Sequence, residues 1–399
     1  MNRNMTSEKL YENKENCCGC EICARCCPQH IIVMEKDKEG FLYPHITDEA
    51  ACVDCGICRN VCPIKNSSRI HNSFINAYAG WARDKRQLFS SSSGGASAVL
   101  SQKVVENGGV VYGAAYSDDF KSVNYIRADS EEALFKIKSS KYVQAVKLET
   151  LSRIREDLKR GKKVLFTGLP CDCAGISRLF GANENLFVVS LVCHGPTSPE
   201  VLKQFTDDLE ERYHSRLTAF SMRYKKEGRW KPYYIYADFA DGKRHLERFE
   251  DSAMNKAFLY LKRPSCNACV FKKDAYAADL LIGDYHAAVP GISTYNENGV
   301  SSILVITQKG QALVNLITDR FCLQEIKIET AAHQPAVNRP SRKRIIRNRF
   351  SSQFIRKGLS DAGRLRFVRY LEGYDHLMFK MRAAGSRART RLRKILKNK

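Results

Sequence analysis

Sixteen of the 399 residues are cysteine, and ten of them lie between positions 17 and 62. The stretch NCCGCEICARCCPQH, residues 16–30, holds six. Cys17, Cys20 and Cys23 sit at two-residue spacing, Cys27 follows after three residues, and Pro28 comes next. The pattern recurs at Cys52, Cys55, Cys58 and Cys62, followed by Pro63. This is C-x2-C-x2-C-x3-C-P twice, the spacing of two-cluster bacterial ferredoxins. A tight loop presents three thiolates to three corners of a 4Fe–4S cube, and the fourth cysteine is carried on to the neighbouring cube. One cluster is therefore assigned to Cys17, Cys20, Cys23 and Cys62, and the second to Cys52, Cys55, Cys58 and Cys27. Cys26 would also continue the even spacing of Cys17, Cys20 and Cys23. Cys27 is preferred because it precedes proline and its spacing is reproduced in the second copy. Cys18 and Cys26 are then spare. Paired CxxC motifs also bind structural zinc, but a zinc site has no use for a doubled three-plus-one pattern ending in proline. Two cubes that exchange ligands lie close together, which suits one-electron relay.

The surrounding composition is that of a globular protein, with 44% hydrophobic and 27% charged residues. No apolar run has the ~20 residues of a spanning helix, and the N-terminal residues show no apolar signal segment. The chain is expected in the cytoplasm, where structural disulfides are rare, so the cysteines call for metal. The net charge is +22, but residues 339–399 alone carry 20 Lys and Arg against 3 Asp and Glu. The basic character belongs mostly to that end.

Elements to position this chemistry follow after a polar linker at 65–73. SSSGGASAVLSQKVVENGG predicts a helix opened by Ser93, Gly94 and Gly95 and closed at Gly108–Gly109. VVYGAAY and VNYIRA read as strands. From about 148, helix LETLSRIREDLKRG, strand KVLFTG, helix CAGISRLF, strand LFVVSLV and helix SPEVLKQFTDDLEERY alternate. That alternation predicts a parallel α/β sheet. AFSMRY, YYIYADF and HLERF read as an antiparallel insertion, and DLLIGDY and SSILVIT return to buried strands. The expected class is mixed α+β and α/β: a two-cluster ferredoxin-like domain at 1–66, a catalytic domain in two parts at 74–150 and 151–325, and a basic, helical tail at 326–399.

A second group of cysteines is dispersed. Cys171 follows the strand ending at 168, Cys193 follows the strand ending at 192, and Cys266 and Cys269 form CNAC before another strand. If the first two strands are parallel neighbours, both thiols emerge at the carboxyl edge, where ligands bind in open α/β sheets. Spacing leaves four readings open: a third cluster from Cys171, Cys193, Cys266 and Cys269, a redox pair in CDC, simple burial of thiols, and, least favoured, a nucleophile–base dyad of Cys193 and His194. Cys173 and Cys322 have no assigned role.

SSSGGASAVL, SSKYVQA, KVLFTGLPCDCAGI, LVCHGPTSP, CNACVFKKDAYAADLLIGDY and LVITQKG, in this order, resemble the successive motifs of the deazaflavin coenzyme (F-420) hydrogenase/dehydrogenase beta-subunit family, in the bacterial form with an N-terminal ferredoxin domain. The resemblance covers about residues 1–325. It implies FAD and a 4Fe–4S cluster in the catalytic domain, the latter on Cys171, Cys193, Cys266 and Cys269, and electron exchange between FAD and a substrate or deazaflavin. One departure stands out: the family usually shows proline-cysteine-glutamine where this chain has Pro170-Cys171-Asp172.

For the flavin, Ser93, Gly94 and Gly95 would supply backbone donors at a helix start; the alternative is a serine-rich loop. Lys141 and Tyr142 would face the ring or merely enter a strand. Asp284, after Gly283 at a strand end, would bind a cofactor hydroxyl or cap a helix. His194 would donate to the flavin or serve structure. The resulting expectation is an FAD-containing iron–sulfur oxidoreductase. It would relay electrons between a flavin-reactive substrate or deazaflavin-like carrier and a redox partner protein. The alternatives are an electron-transfer subunit without its own substrate site, serving another enzyme such as a membrane-associated one, and an iron–sulfur nucleic-acid-binding protein. The basic tail, with Leu365, Phe367, Leu371, Leu377 and Phe379, reads as solvated, as peripheral to the anionic inner face of a membrane, or, least favoured, as binding nucleic acid.

Overall fold

The computed structural model describes residues 10–364 together with Val368 and Tyr370. Its centre is an eight-stranded mixed sheet. In chain order the strands among the described residues are β1 (Ile32–Lys36), β2 (Leu42–Ile46), β3 (Asn76–Ala82), β4 (Val110–Tyr116), β5 (Val123–Ala128), β6 (Val164–Gly168), β7 (Leu186–Leu191), β8 (Leu217–Tyr224), β9 (Tyr234–Phe239), β10 (Arg244–Arg248), β11 (Leu280–Asp284), β12 (Ser301–Val305) and β13 (Phe321–Glu325). The large sheet runs β13-β3-β12-β11-β7-β6-β4-β5. β4, β6, β7 and β11 are parallel, and the strands on either side of this run are antiparallel. The parallel strands are continuous apolar runs because both faces are covered. One face buries Val164, Phe166 and Val188 under helices Leu148–Lys159, Pro170–Phe180 and Pro199–Tyr213; the other buries Leu165, Val189 and Leu280 under helices Ala96–Glu106 and Gln308–Leu316. β8, β9 and β10 form a separate antiparallel sheet.

The fold class is therefore mixed α/β, as the alternation predicts. Strands from either side of position 150 share one sheet, so 74–150 and 151–325 are parts of one body. Ser198 holds the N-cap position of helix Pro199–Tyr213 without a capping bond from its hydroxyl; Pro199 fixes the first turn instead.

The segment set apart as a tail from 326 is part of the body as far as 364. Helix Arg347–Gly363 buries Phe350, Phe354, Leu359 and Ala362 in the main core, with the Phe350 ring 5.8 Å from that of Tyr260. Its polar side reaches the N-terminal module: Arg347 donates to both carboxylate oxygens of Glu39 at 2.9 and 2.6 Å. The basic residues there are interspersed with apolar ones at helical spacing, so the charge lies on one face while the other packs. Leu365, Phe367, Leu371, Leu377 and Phe379 lie outside the described residues, as does the rest of the basic end. No helix among the described residues is long and apolar enough to cross a membrane.

Candidate redox site

The N-terminal module is a β1–β2 hairpin flanked by two short cysteine-bearing helices, Ile22–Cys26 and Ile57–Asn60. Glu21 and Gly56 precede these helices in the left-handed conformation, which turns each chain sharply between its second and third cysteines. The module docks on helix Pro170–Phe180. A side chain at Gly175 would meet Ile22 at 2.9 Å, so the contact needs glycine there.

Among the described residues, no three His, Cys, Asp or Glu side chains close on a point as a single metal ion requires. The thiols gather in wider groups. Burial raises the Cys23 thiol well above its ordinary value, and Cys20, Cys17 and Cys62 raise it further. Those four are the first sequence-assigned set. Cys27, Cys52, Cys55 and Cys58, the second set, line one small cavity of about 40 Å³, and Cys55 is exposed.

The dispersed cysteines also come together. β6 and β7 are adjacent and parallel, so Cys171 and Cys193 leave the same edge. Burial lifts the Cys266 thiol well above its usual value, followed by the influence of Cys193, Cys171 and Cys269. Cys193 is pushed up to about 11, mainly by burial, with Lys272 opposing and Cys171 adding to the rise. The Gly195 N–H donates to Cys193 Sγ at 3.2 Å, and a side chain at Gly195 would strike Cys266 at 2.8 Å. Four half-buried thiols gathered from three segments fit a cationic iron core as ligand set, and backbone donation to sulfur is the kind of contact that tunes one. Cys173 stands apart, with its thiol in the core donating to the Val189 carbonyl at 3.6 Å.

Cys18 is spare by spacing but not by position. Hydrogen bonding to Cys171, and then to Cys20, raises its thiol well above its ordinary value. It therefore lies near both the first and the dispersed thiol groups. Around this junction, Arg263 is fully buried. Its Nε donates to the Cys17 carbonyl, its Nη1 to Gln144 Oε1 and its Nη2 to the Leu42 carbonyl, each at 2.9 Å. The guanidinium also lies over the Tyr43 ring, 4.1 Å from its centroid. Gly19 makes room for this grip, since a side chain would come within 2.4 Å of Gln144 and 2.8 Å of Arg263.

Asp172, the departure from the expected glutamine, is 3.3 Å from the ammonium of Lys147, which is also 3.7 Å from Glu21. All three are buried. The acidic side chain beside Cys171 is thus matched by a lysine that nothing in the local sequence singles out.

On the other side of Cys193 lies a cavity of about 920 Å³. Ser93, Gly95, Lys141, Tyr142, His194 and Asp284 line it, and Gly94 does not. Gly94 instead lets two backbones meet: a Cβ there would stand 2.2 Å from the Gly80 carbonyl and 2.5 Å from the Ser301 nitrogen. Lys141 donates to the Lys136, Lys138 and Ser139 carbonyls, and burial pulls its ammonium down to about 7. Burial likewise lowers His194 to about 4.

Arg223, missing from the sequence reading, organises the wall. It donates to the Tyr142 hydroxyl and the Ser92 carbonyl at 2.7 Å, pairs with Asp284 at 3.2 Å and stacks 3.7 Å from the Tyr233 ring centroid. Phe249 and Phe258 pack on Tyr142. Lys225 fixes the serine loop by donating to the Leu88 and Ser93 carbonyls at 2.7 Å. The available signal was two cations, one in strand β8 and one just after it. Thr167, also lining the cavity, has a buried hydroxyl without a hydrogen-bond partner. A largely pre-formed aromatic and polar cavity with an unsatisfied hydroxyl fits a bound cofactor.

Fold and site together define a mixed α/β protein whose cysteine-rich module docks at the carboxyl edge of its sheet, beside a large cavity. Residues 161–331 match the family described as the C terminus of the coenzyme F420 hydrogenase/dehydrogenase beta subunit. Among solved structures, that of "Xenon derivatization of the F420-reducing NiFe hydrogenase complex from Methanosarcina barkeri" matches with a TM-score of 0.46 at 16% identity, covering 66% of this chain and 89% of that one. No curated protein matches the chain.

Proposed function

We propose that the chain is an FAD-dependent iron–sulfur oxidoreductase that exchanges electrons between a substrate or deazaflavin-like carrier in the large cavity and a partner protein at the N-terminal module. The observation that carries this reading is the order of the thiol groups. Cys27, Cys52, Cys55 and Cys58 reach the surface at Cys55, and of the other N-terminal group, Cys17, Cys20, Cys23 and Cys62, none is exposed. Cys18 links these to Cys171, and Cys193 of the last group lines the cavity.

When bound, 4Fe–4S clusters would supply one-electron steps and FAD the two-electron step. The chain's own residues bind and orient. Cys171, Cys193, Cys266 and Cys269 would hold the third cluster. Ser93, Gly95 and the start of helix Ala96–Glu106 present backbone donors suited to a pyrophosphate. Tyr142, Tyr233, Phe249 and Phe258 offer aromatic walls to a flavin ring. Arg223, held by Asp284, places a fixed cation there.

The cavity favours this reading over a subunit with no substrate site. Anaerobic purification with metal and flavin analysis tests it. We expect about twelve irons per chain, four for each four-cysteine group, and about one FAD. Iron near eight without flavin would sink the reading. Bleaching of the flavin by a candidate reductant, with no other protein present, then separates an enzyme from a pure relay.

A further inference from the structure

We propose that Lys147, clamped by Glu21 and Asp172, is a shared counter-cation of the first and third thiol groups and sets how an electron is divided between them. The proposal rests on the iron–sulfur reading above. The Lys147 side chain is only 2% exposed, and Glu21 and Asp172 are similarly buried. Its Nζ donates to the Gly19 and Ala145 carbonyls at 3.3 and 2.9 Å, and its backbone N–H donates to Glu21 Oε2 at 2.9 Å. Gly19 and Glu21 flank Cys20, and Asp172 follows Cys171. The ammonium is therefore tied to the immediate neighbours of a ligand in each group.

Such a triad is costly to bury. Each ion forfeits several kcal/mol of hydration, and apolar side chains of the same volume often stabilise a core better. Its placement at the junction is what gives it a use. A fixed cation beside thiolate ligands favours the more negative, reduced state of what they hold, and a carboxylate opposes that. Lys147 acts on both groups, whereas Asp172 acts most on the group containing its neighbour Cys171. One electron leaves one site as the other gains it; no bond or proton changes place.

The test is an anaerobic potentiometric titration of the iron-loaded full chain with dithionite and mediators, followed by electron paramagnetic resonance. Asp172→Asn removes one negative charge with little change of shape. The potential of the third site should rise by about 59 mV or more, a tenfold change in its reduced-to-oxidised ratio, and that of the first site by less. The outer site, identified by its altered signal in Cys55→Ser, should stay in place. Lys147→Arg should retain the wild-type potentials. Lys147→Met should lower both inner sites, but it leaves two carboxylates unpaired and can fail to fold, so Asp172→Asn is the deciding variant. Inner potentials that do not move, or an outer potential that moves as far, overturn the proposal alone. Wild-type protein that takes up no iron overturns it together with the iron–sulfur reading.

Discussion

Replacing Arg263 by methionine should release the N-terminal module from the body. The guanidinium makes three 2.9 Å hydrogen bonds: two to carbonyls of the module, Cys17 and Leu42, and one to Gln144, whose side chain in turn accepts from the Leu42 N–H at 3.2 Å. Hydrogen bonds to charged groups contribute about 1.5–3 kcal/mol each, and a buried acceptor left alone costs ~1–3 kcal/mol. Against this, methionine removes the penalty of keeping a guanidinium out of water, several kcal/mol. The balance is a loss of about 3 kcal/mol, concentrated at the module. At about 1.4 kcal/mol per factor of ten, local opening should become roughly 100-fold more frequent. Hydrogen–deuterium exchange on the anaerobic, iron-loaded chain reads this directly. Peptides within 16–46 should exchange faster, with β6 and β7 unchanged. Arg263→Lys should fall between, because an ammonium cannot reproduce the three-way fork. Unchanged exchange in 16–46, or an equal rise across the central strands, would refute the assignment of Arg263 as the fastener.

Four other outcomes are expected. Phe350→Ala should cost about 3–5 kcal/mol in thermal unfolding, because the ring is wholly buried; a solvated tail would show no change. Gly94→Ala should destabilise by about 1–3 kcal/mol and lower flavin content on purification, because its methyl would strike backbone on both sides. Arg223→Ala should reduce bound flavin more than Arg223→Lys does, as measured by absorbance after gel filtration, since Asp284 and Tyr142 lose their common partner. For Lys141 the native state releases its proton near 7, while the unfolded chain keeps it up to the ordinary lysine value of 10.5. The unfolded chain thus binds more protons across this window, and stability should rise with pH by up to about 1.4 kcal/mol per unit from this one group. Urea titrations of flavin-free protein from about pH 7 to 9.5 should show that slope reduced in Lys141→Met.

The sequence by itself determined the elements whose signal is local. The doubled cysteine run comes from loop geometry within a dozen residues, and the strands KVLFTG, LFVVSLV and DLLIGDY announce themselves as apolar runs because they are covered on both faces. The parallel pairing of β6 and β7 followed from their alternation with helices, and it placed Cys171 and Cys193 at one edge. Contacts between distant segments were not legible. Arg223 meets Tyr142 across 81 residues, Arg263 meets Cys17 across 246, and Glu39 meets Arg347 across 308. Nothing in local periodicity encodes such partners, because each is selected by burial and charge once the backbone has brought it near. The same holds for the basic end, where composition shows charge and only packing shows the apolar face of helix Arg347–Gly363. Cys18 carries the distinction within one residue. Its spacing marks it as surplus, and the docking of the module on helix Pro170–Phe180 puts it between two thiol groups.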